Sequence, residues 1–224
     1  MSNIDNRNIC YVVGAMSLTP DLRPYPAPGD FVIAADRGFD SLMAYGVVPN
    51  LAVGDFDSLG HIPDHNNVIT LPVEKDDTDM AFAVSKGLEM GYKRFVLLGG
   101  VGGRLDHTLA NMQLLDQIAS SGAQGFLVGD HLAATAVRNG AFRFPDSLTG
   151  SLAVFCNSGK AEGVTMTGVK YGMENGEMTG DRPIGVSNQF LGEAGAISVR
   201  EGSLVLMWQE KGNFYSLMPR LWQE

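Results

Sequence analysis

Residues 53 to 60 read VGDFDSLG and follow the apolar run Leu51, Ala52, Val53. Two aspartates one residue apart at the end of a hydrophobic strand are costly unless something positive holds them. In extended backbone residues i and i+2 point to the same side, so Asp55 and Asp57 are expected to aim at one point. Like charges at one point raise each other's pKa unless a cation sits between them. The pair therefore points to a bound metal ion.

Three further polar clusters follow apolar runs: ADRG (35–38), EKDDTD (74–79) and GGVGGRLDH (99–107). In a parallel sheet these strand ends lie along one edge, where open α/β sheets bind ligands. The chemistry they suit is phosphoryl transfer. Asp55, Asp57 and Asp79 are hard oxygen donors of the kind that hold Mg²⁺ beside substrate phosphates. The glycines of GGVGGR let backbone N–H groups approach an anion ahead of a helix N-terminus, and Arg104 can fork onto phosphate oxygens. The loop is neither a Walker A nor a GxGxxG in its usual place.

The elements that must position these residues alternate in the first half. ICYVVGA (9–15), FVIAAD (31–36), LAVGD (51–55), VITLPV (68–73), RFVLLGG (94–100) and QGFLVGD (124–130) read as buried strands. GFDSLMAYG (38–46), TDMAFAVSKGLEMG (78–91) and LDHTLANMQLLDQIASSG (105–122) have helical spacing and end on glycine. Thr78 or Asp79 stands near the cap of the second helix. The fold class is α/β: a mainly parallel, Rossmann-like sheet flanked by helices. After about residue 132 the pattern changes to short glycine-punctuated runs, namely ATAVRNG, GSLAVFCNSG, GVTMTGVKYGM, AISVREG and GSLVLMWQ. These predict a C-terminal antiparallel β-sandwich, with no long helix. The division is residues 1–135, carrying nucleotide and metal, and 136–224.

The 224 residues suffice for a sizeable core, and 45% hydrophobic with 18% charged content marks a globular chain. A net charge of −9 argues against sequence-independent nucleic-acid binding, which needs a basic surface. It does not exclude a phosphate ligand accompanied by a divalent cation. No run of about 18 apolar residues predicts a membrane span. The N-terminus, MSNIDNRNICYVV, lacks the pattern of a signal peptide. Cys10 and Cys156 both lie in apolar runs and read as free thiols of a reducing cytoplasm.

ADRG, GVVPNLAVGDFDSL, KDDTD and GGRLDHTLAN together resemble the thiamine pyrophosphokinase family, bacterial type, over nearly the whole chain. The resemblance implies an ATP-dependent diphosphotransferase that moves the terminal diphosphate of ATP onto the hydroxyl of thiamine, giving thiamine diphosphate and AMP. It implies Mg²⁺ as cofactor and Asp55, Asp57 and Asp79 as its ligands. It places Asp36, Gly38, Asp76, Thr78, Arg104 and His107 at the nucleotide, has Arg104 and Asp106 hold phosphate and position a neighbour, and makes Asp55, Asp57, Asp79, Arg104 and Asp106 the catalytic set. GVSNQ (185–189) resembles a Ser-Asn motif that would bring Ser187 and Asn188 to the thiamine in the second domain. A cytoplasmic homodimer, with active sites near the subunit interface, is implied in the same way. One departure is Arg37, where many relatives carry a second glycine.

Other residues read as ordinary. Asp40, Asp64 and Asp77 are expected at solvated surfaces or turns, and His61, His65 and His131 are not spaced as metal ligands. Trp208 and Tyr171 can stack on a flat heterocycle or simply pack. Two rival functions remain at this point. A pyrophosphokinase for another hydroxymethyl heterocycle, such as a pterin, would use the same aspartates. A non-catalytic thiamine- or nucleotide-binding regulator would be expected to have lost some of these motifs, all of which are intact.

Overall fold

The structure is a computed structural model that describes residues 4–74, 76–209, 211–212 and 214–223. Six parallel strands carry the first half: β1 (Ile9–Val13), β2 (Phe31–Ala35), β3 (Leu51–Gly54), β4 (Val68–Thr70), β5 (Arg94–Leu98) and β6 (Gln124–Gly129). Their order across the sheet is β4-β3-β2-β1-β5-β6. The direction of winding reverses between β1 and β5, which opens a crevice at their carboxyl ends. Alternate residues of β1 serve opposite faces: Ile9, Tyr11 and Val13 join one core cluster, Cys10 and Val12 the other. Both faces are covered, which is why these strands read as continuous apolar runs.

Three helices connect them: α1 (Gly38–Ala44), α2 (Asp79–Glu89) and α3 (Leu105–Ser120). Thr78 caps α2 by accepting the Ala81 N–H at 3.1 Å. In α3, Asn111, Met112, Leu114, Leu115 and Ile118 form the buried stripe. Burying one such aliphatic side chain contributes about 1.5–3 kcal/mol, so Ile118→Ala would loosen α3 from the sheet. The strand expected at 68–73 stops at Thr70, because Pro72 has no N–H to donate to a ladder.

The second half is antiparallel: β7 (Leu132–Phe144), β8 (Thr149–Cys156), β9 (Lys160–Thr167), β10 (Met173–Thr179), β11 (Gly185–Leu191) and β12 (Gly195–Gln209). β7 folds back on β6 and pairs with β12 on its other side, so one sheet runs through both halves. Residue 135 falls inside β7. The runs AISVREG and GSLVLMWQ, expected as separate strands, are the single strand β12. Its register shifts between Val199 and Ser203, at Gly202 with φ 108°. That bulge is where the strand forks. Residues before it also pair with β9, and residues after it pair with β8. β9 continues to β10, and β8 to β11.

A fourth helix, α4 (Phe214–Leu221), went unpredicted because Pro219 interrupts its pattern. It lays Phe214, Leu217 and Leu221 on the core, where Phe214 and Trp222 meet the Phe126 ring edge-on. The fold is thus mixed α/β, with one large sheet and four α-helices among the described residues. No described helix is long and apolar enough to cross a membrane.

Candidate active site

At the carboxyl ends of β1, β2, β3 and β5 lies an open cavity of about 380 Å³. Its floor is made where Gly14–Met16 abuts the loop after β5. The Gly14 N–H donates to the Leu98 carbonyl at 2.8 Å, and the Met16 N–H to the Gly99 carbonyl at 3.0 Å. Gly99 has φ 61°, and a Cβ there would lie 2.6 Å from the Gly14 carbonyl oxygen. Only glycine admits that approach.

Three carboxylates converge beside the cavity, which Asp36 and Asp55 line and Asp57 does not. Asp36, Asp55 and Asp57 each offer an oxygen, all within 4.8 Å of one another. Asp55 and Asp57 meet as expected, but not through an extended strand. β3 ends at Gly54, and Phe56 turns back at φ 56° with its ring buried. The Asp55 carboxylate accepts the Asp57 N–H at 3.3 Å, and the Ser58 hydroxyl donates to Asp57 at 3.1 Å. Asp36 is the third member. It is 9% exposed, has φ 49°, and its Oδ1 is buried without a hydrogen-bond partner. A buried anionic oxygen left so, beside two more carboxylates, fits a hard divalent cation. Asp79, expected in the metal set, lies at the first position of α2 and lines the same cavity, outside this trio.

From the segment before α2, Asp77, Thr78 and Asp79 line the cavity, whereas Asp76 is exposed and does not. Asp77, expected to be merely solvated, is exposed and yet faces this space. Opposite them stand Arg104, His107 and Asn111. Arg104 forks onto Asp106 at 3.2 and 2.6 Å, and both side chains are largely in solvent. Their hydrogen bond holds the Asp106 carboxyl below its ordinary pKa and raises that of Arg104. Asp106 also accepts the His107 N–H at 3.0 Å and stays outside the lining. Asn111, which the motif reading passed over, is buried and donates to the Gly100 carbonyl at 2.8 Å, tying α3 to the glycine loop. Its signal was available: residues 104, 107 and 111 share one helical face.

Three expected contacts lie elsewhere. Gly38 is buried beneath the site. A Cβ there would stand 1.9 Å from the Val13 carbonyl oxygen, so the glycine serves the packing of α1 on β1. Ser187 and Asn188, on β11, are not in the cavity wall. The Asn188 side chain is buried and clamps Tyr171: it accepts that residue's N–H and donates to its carbonyl, both at 2.9 Å. Ser187 is exposed at φ 61°, and the Tyr171 side chain is exposed as well. Trp208 is buried among Phe126 and Phe142, so it packs and does not face a ligand.

Residues 26–127 match the family described as thiamin pyrophosphokinase, catalytic domain. Residues 144–204 match thiamin pyrophosphokinase, vitamin B1 binding domain. A Bacillus subtilis protein named thiamine pyrophosphokinase is 27% identical over 201 residues, covering 87% of this chain and 94% of that protein. The Caenorhabditis elegans thiamin pyrophosphokinase 1 is 29% identical over 63% of this chain and 62% of its own length. The crystal structure of the Bacillus subtilis enzyme superposes with a TM-score of 0.78 at 26% identity, over 90% of this chain and 99% of that one. That from Geobacillus thermodenitrificans gives 0.75 at 28% identity, over 91% and 98%. Two family domains in chain order, and solved structures matching nearly end to end, lead to one statement: the chain belongs to the thiamin pyrophosphokinase family.

Proposed function

We infer that this chain is a thiamine pyrophosphokinase, transferring the diphosphate of ATP to the hydroxyl of thiamine with release of AMP. The observation that carries the reading is the trio Asp36, Asp55 and Asp57, the first two of which line a glycine-walled cavity at the sheet's switch point. In the reaction the thiamine hydroxyl oxygen bonds the β-phosphorus, the bond to the α–β bridging oxygen breaks, and AMP departs. The hydroxyl proton passes to a carboxylate of the cavity.

The residues of this chain act by positioning and by charge. Asp36, Asp55 and Asp57 would hold the divalent cation, with Mg²⁺ our choice because all donors are carboxylate oxygens, and Asp79, which lines the same cavity, would be a further ligand. Such an ion supplies neutralisation of polyphosphate charge. Arg104 turns from Asp106 to the phosphates, and the Thr78 hydroxyl, accepting from Ala81, keeps its own proton to donate. The acidic cavity also favours a cationic acceptor such as thiamine.

We propose further that the fork of β12 folds the antiparallel half, residues 136–224, into a β-sandwich, with the β9–β10 arm facing the β8–β11 arm and residues 1–135 forming a Rossmann-like nucleotide half. Contact between the two arms supports this: a Cβ at Gly185 on β11 would meet the Met178 side chain of β10 at 3.0 Å. Ser187 and Tyr171 stand away from the cavity of their own chain, which supports a homodimer in which a second copy supplies the thiamine contacts. Two free cysteines and the family assignment support a cytoplasmic enzyme.

The test is a reaction of purified protein with thiamine, ATP and Mg²⁺, its nucleotides separated by chromatography. AMP rising in step with thiamine diphosphate is expected. ADP with thiamine monophosphate would make the protein a simple kinase, and AMP formed only with a pterin alcohol would overturn the acceptor.

A further inference from the structure

Arg37 directly follows Asp36, yet its side chain belongs to a neighbouring groove. That groove is lined by Ala15, Met16, Arg37, Asp40, Ser41 and Tyr45 among others. It shares Ala15 and Met16 with the cavity above the carboxylates. The two spaces therefore adjoin at the end of β1. Arg37 is exposed, and its guanidinium has neither ion pair nor hydrogen bond among the described residues. Asp40 is three residues on in α1 and lines the same groove, but the two do not pair. Every other arginine near the site is engaged: Arg104 is held by Asp106.

Charge balance gives this arginine a use. Among the described residues, the cavity wall includes the carboxylates Asp36, Asp55, Asp77 and Asp79 and one arginine, Arg104. A nucleotide polyphosphate brings further negative charge to this acidic wall. A second guanidinium at the rim relieves that repulsion, and its planar fork matches phosphate oxygens. Topology places it well. Arg104 follows β5 and Arg37 follows β2, and β5 and β2 are the two neighbours of β1. The two arginines thus flank the Gly14–Met16 backbone from opposite sides.

We propose that Arg37 is a second polyphosphate-binding residue of this site, contacting the nucleotide's phosphates over Ala15 and Met16 from the side opposite Arg104. The proposal rests on the reading of the cavity as a nucleotide site, not on the identity of the acceptor. Its test is accordingly made without thiamine. Equilibrium binding of ATP with Mg²⁺ is measured for the wild type, Arg37→Gln and Arg37→Lys at several salt concentrations. Loss of one charged phosphate contact predicts about tenfold weaker binding for Arg37→Gln. It also predicts a shallower dependence of affinity on salt, with Arg37→Lys retaining most of that dependence. Binding of Arg37→Gln within about twofold of wild type, or weaker binding with an unchanged salt dependence, overturns the proposal. Wild-type protein that binds ATP but makes no thiamine diphosphate would leave this inference standing while removing the proposed acceptor.

Discussion

Replacing Asp36 by asparagine should stabilise the metal-free protein and destroy its response to metal. Asparagine tolerates the left-handed backbone that Asp36 occupies at φ 49°, so the change removes a charge with little added strain. Asp36 has two carboxylate neighbours within 4.8 Å. At that separation, with an effective dielectric of about 20, each like-charge pair costs about 3 kcal/mol before screening. Asp57 is exposed and Asp55 half-buried, so solvent reduces the sum to about 1–2 kcal/mol, or about 3–6 °C of melting temperature at this chain length. The order should invert when metal is added. Wild type gains about 2.7 kcal/mol at a hundredfold excess over the dissociation constant, and the variant gains far less. Thermal melting in chelator and then in a Mg²⁺ titration reads both halves. A variant that melts below wild type in chelator, or that keeps the full metal-dependent shift, would refute the trio as a cation site.

Other outcomes follow from the same geometry. Asp57→Ala should lower turnover by about a thousandfold with little change in melting, because the side chain is exposed and its loss removes charge rather than packing. Asn111→Ala removes the bond to the Gly100 carbonyl and should cost about 1–2 kcal/mol by denaturant titration while raising KM for ATP through a loosened glycine loop. Arg104 lowers the Asp106 pKa from its ordinary 3.8, so the pair's small contribution is complete above that value and lost as pH falls through the lowered one. Arg104→Gln should therefore melt like wild type at pH 7, show a weaker acid-side loss below pH 3.8, and turn over ATP about a hundredfold more slowly. Trp208→Phe should cost within about 1 kcal/mol by denaturant titration, because the indole N–H it removes is buried with no hydrogen-bond partner.

Much of the site was legible because strand ends are written in residue types. Four apolar runs followed by charged or glycine-rich clusters point to the sheet edge at which the cavity lies. What could not be read was the local backbone. Asp55 and Asp57 converge through a left-handed Phe56, not through the two-residue repeat of a strand. Asp36 joins them from the adjacent strand, 19 positions earlier, and only parallel pairing of β2 with β3 puts the two strand ends side by side. The Ser-Asn motif of GVSNQ was legible as a motif, but its asparagine is occupied by the Tyr171 backbone, a tertiary contact across 17 residues. In the second half, glycine punctuation correctly announced strands and wrongly cut β12 in two, because a bulge and a turn look alike in one dimension. A proline hid α4 in the same way.

The path of β12 has a consequence for how the protein is made. Phe126 and Val128 of the N-terminal half share a core cluster with Trp208, Leu206 and Phe214, all from the last chain segment. At the ribosome, residues up to β7 emerge while that partner surface is still unsynthesised. The open edge of β7 and the bare Phe126 face must wait for some seventy residues of further translation, several seconds at ordinary elongation rates. The core of the N-terminal half is therefore completed only once the last chain segment is made, although that half is encoded first. A premature stop anywhere before residue 195 would release a chain with an unpaired strand edge and an uncovered aromatic core.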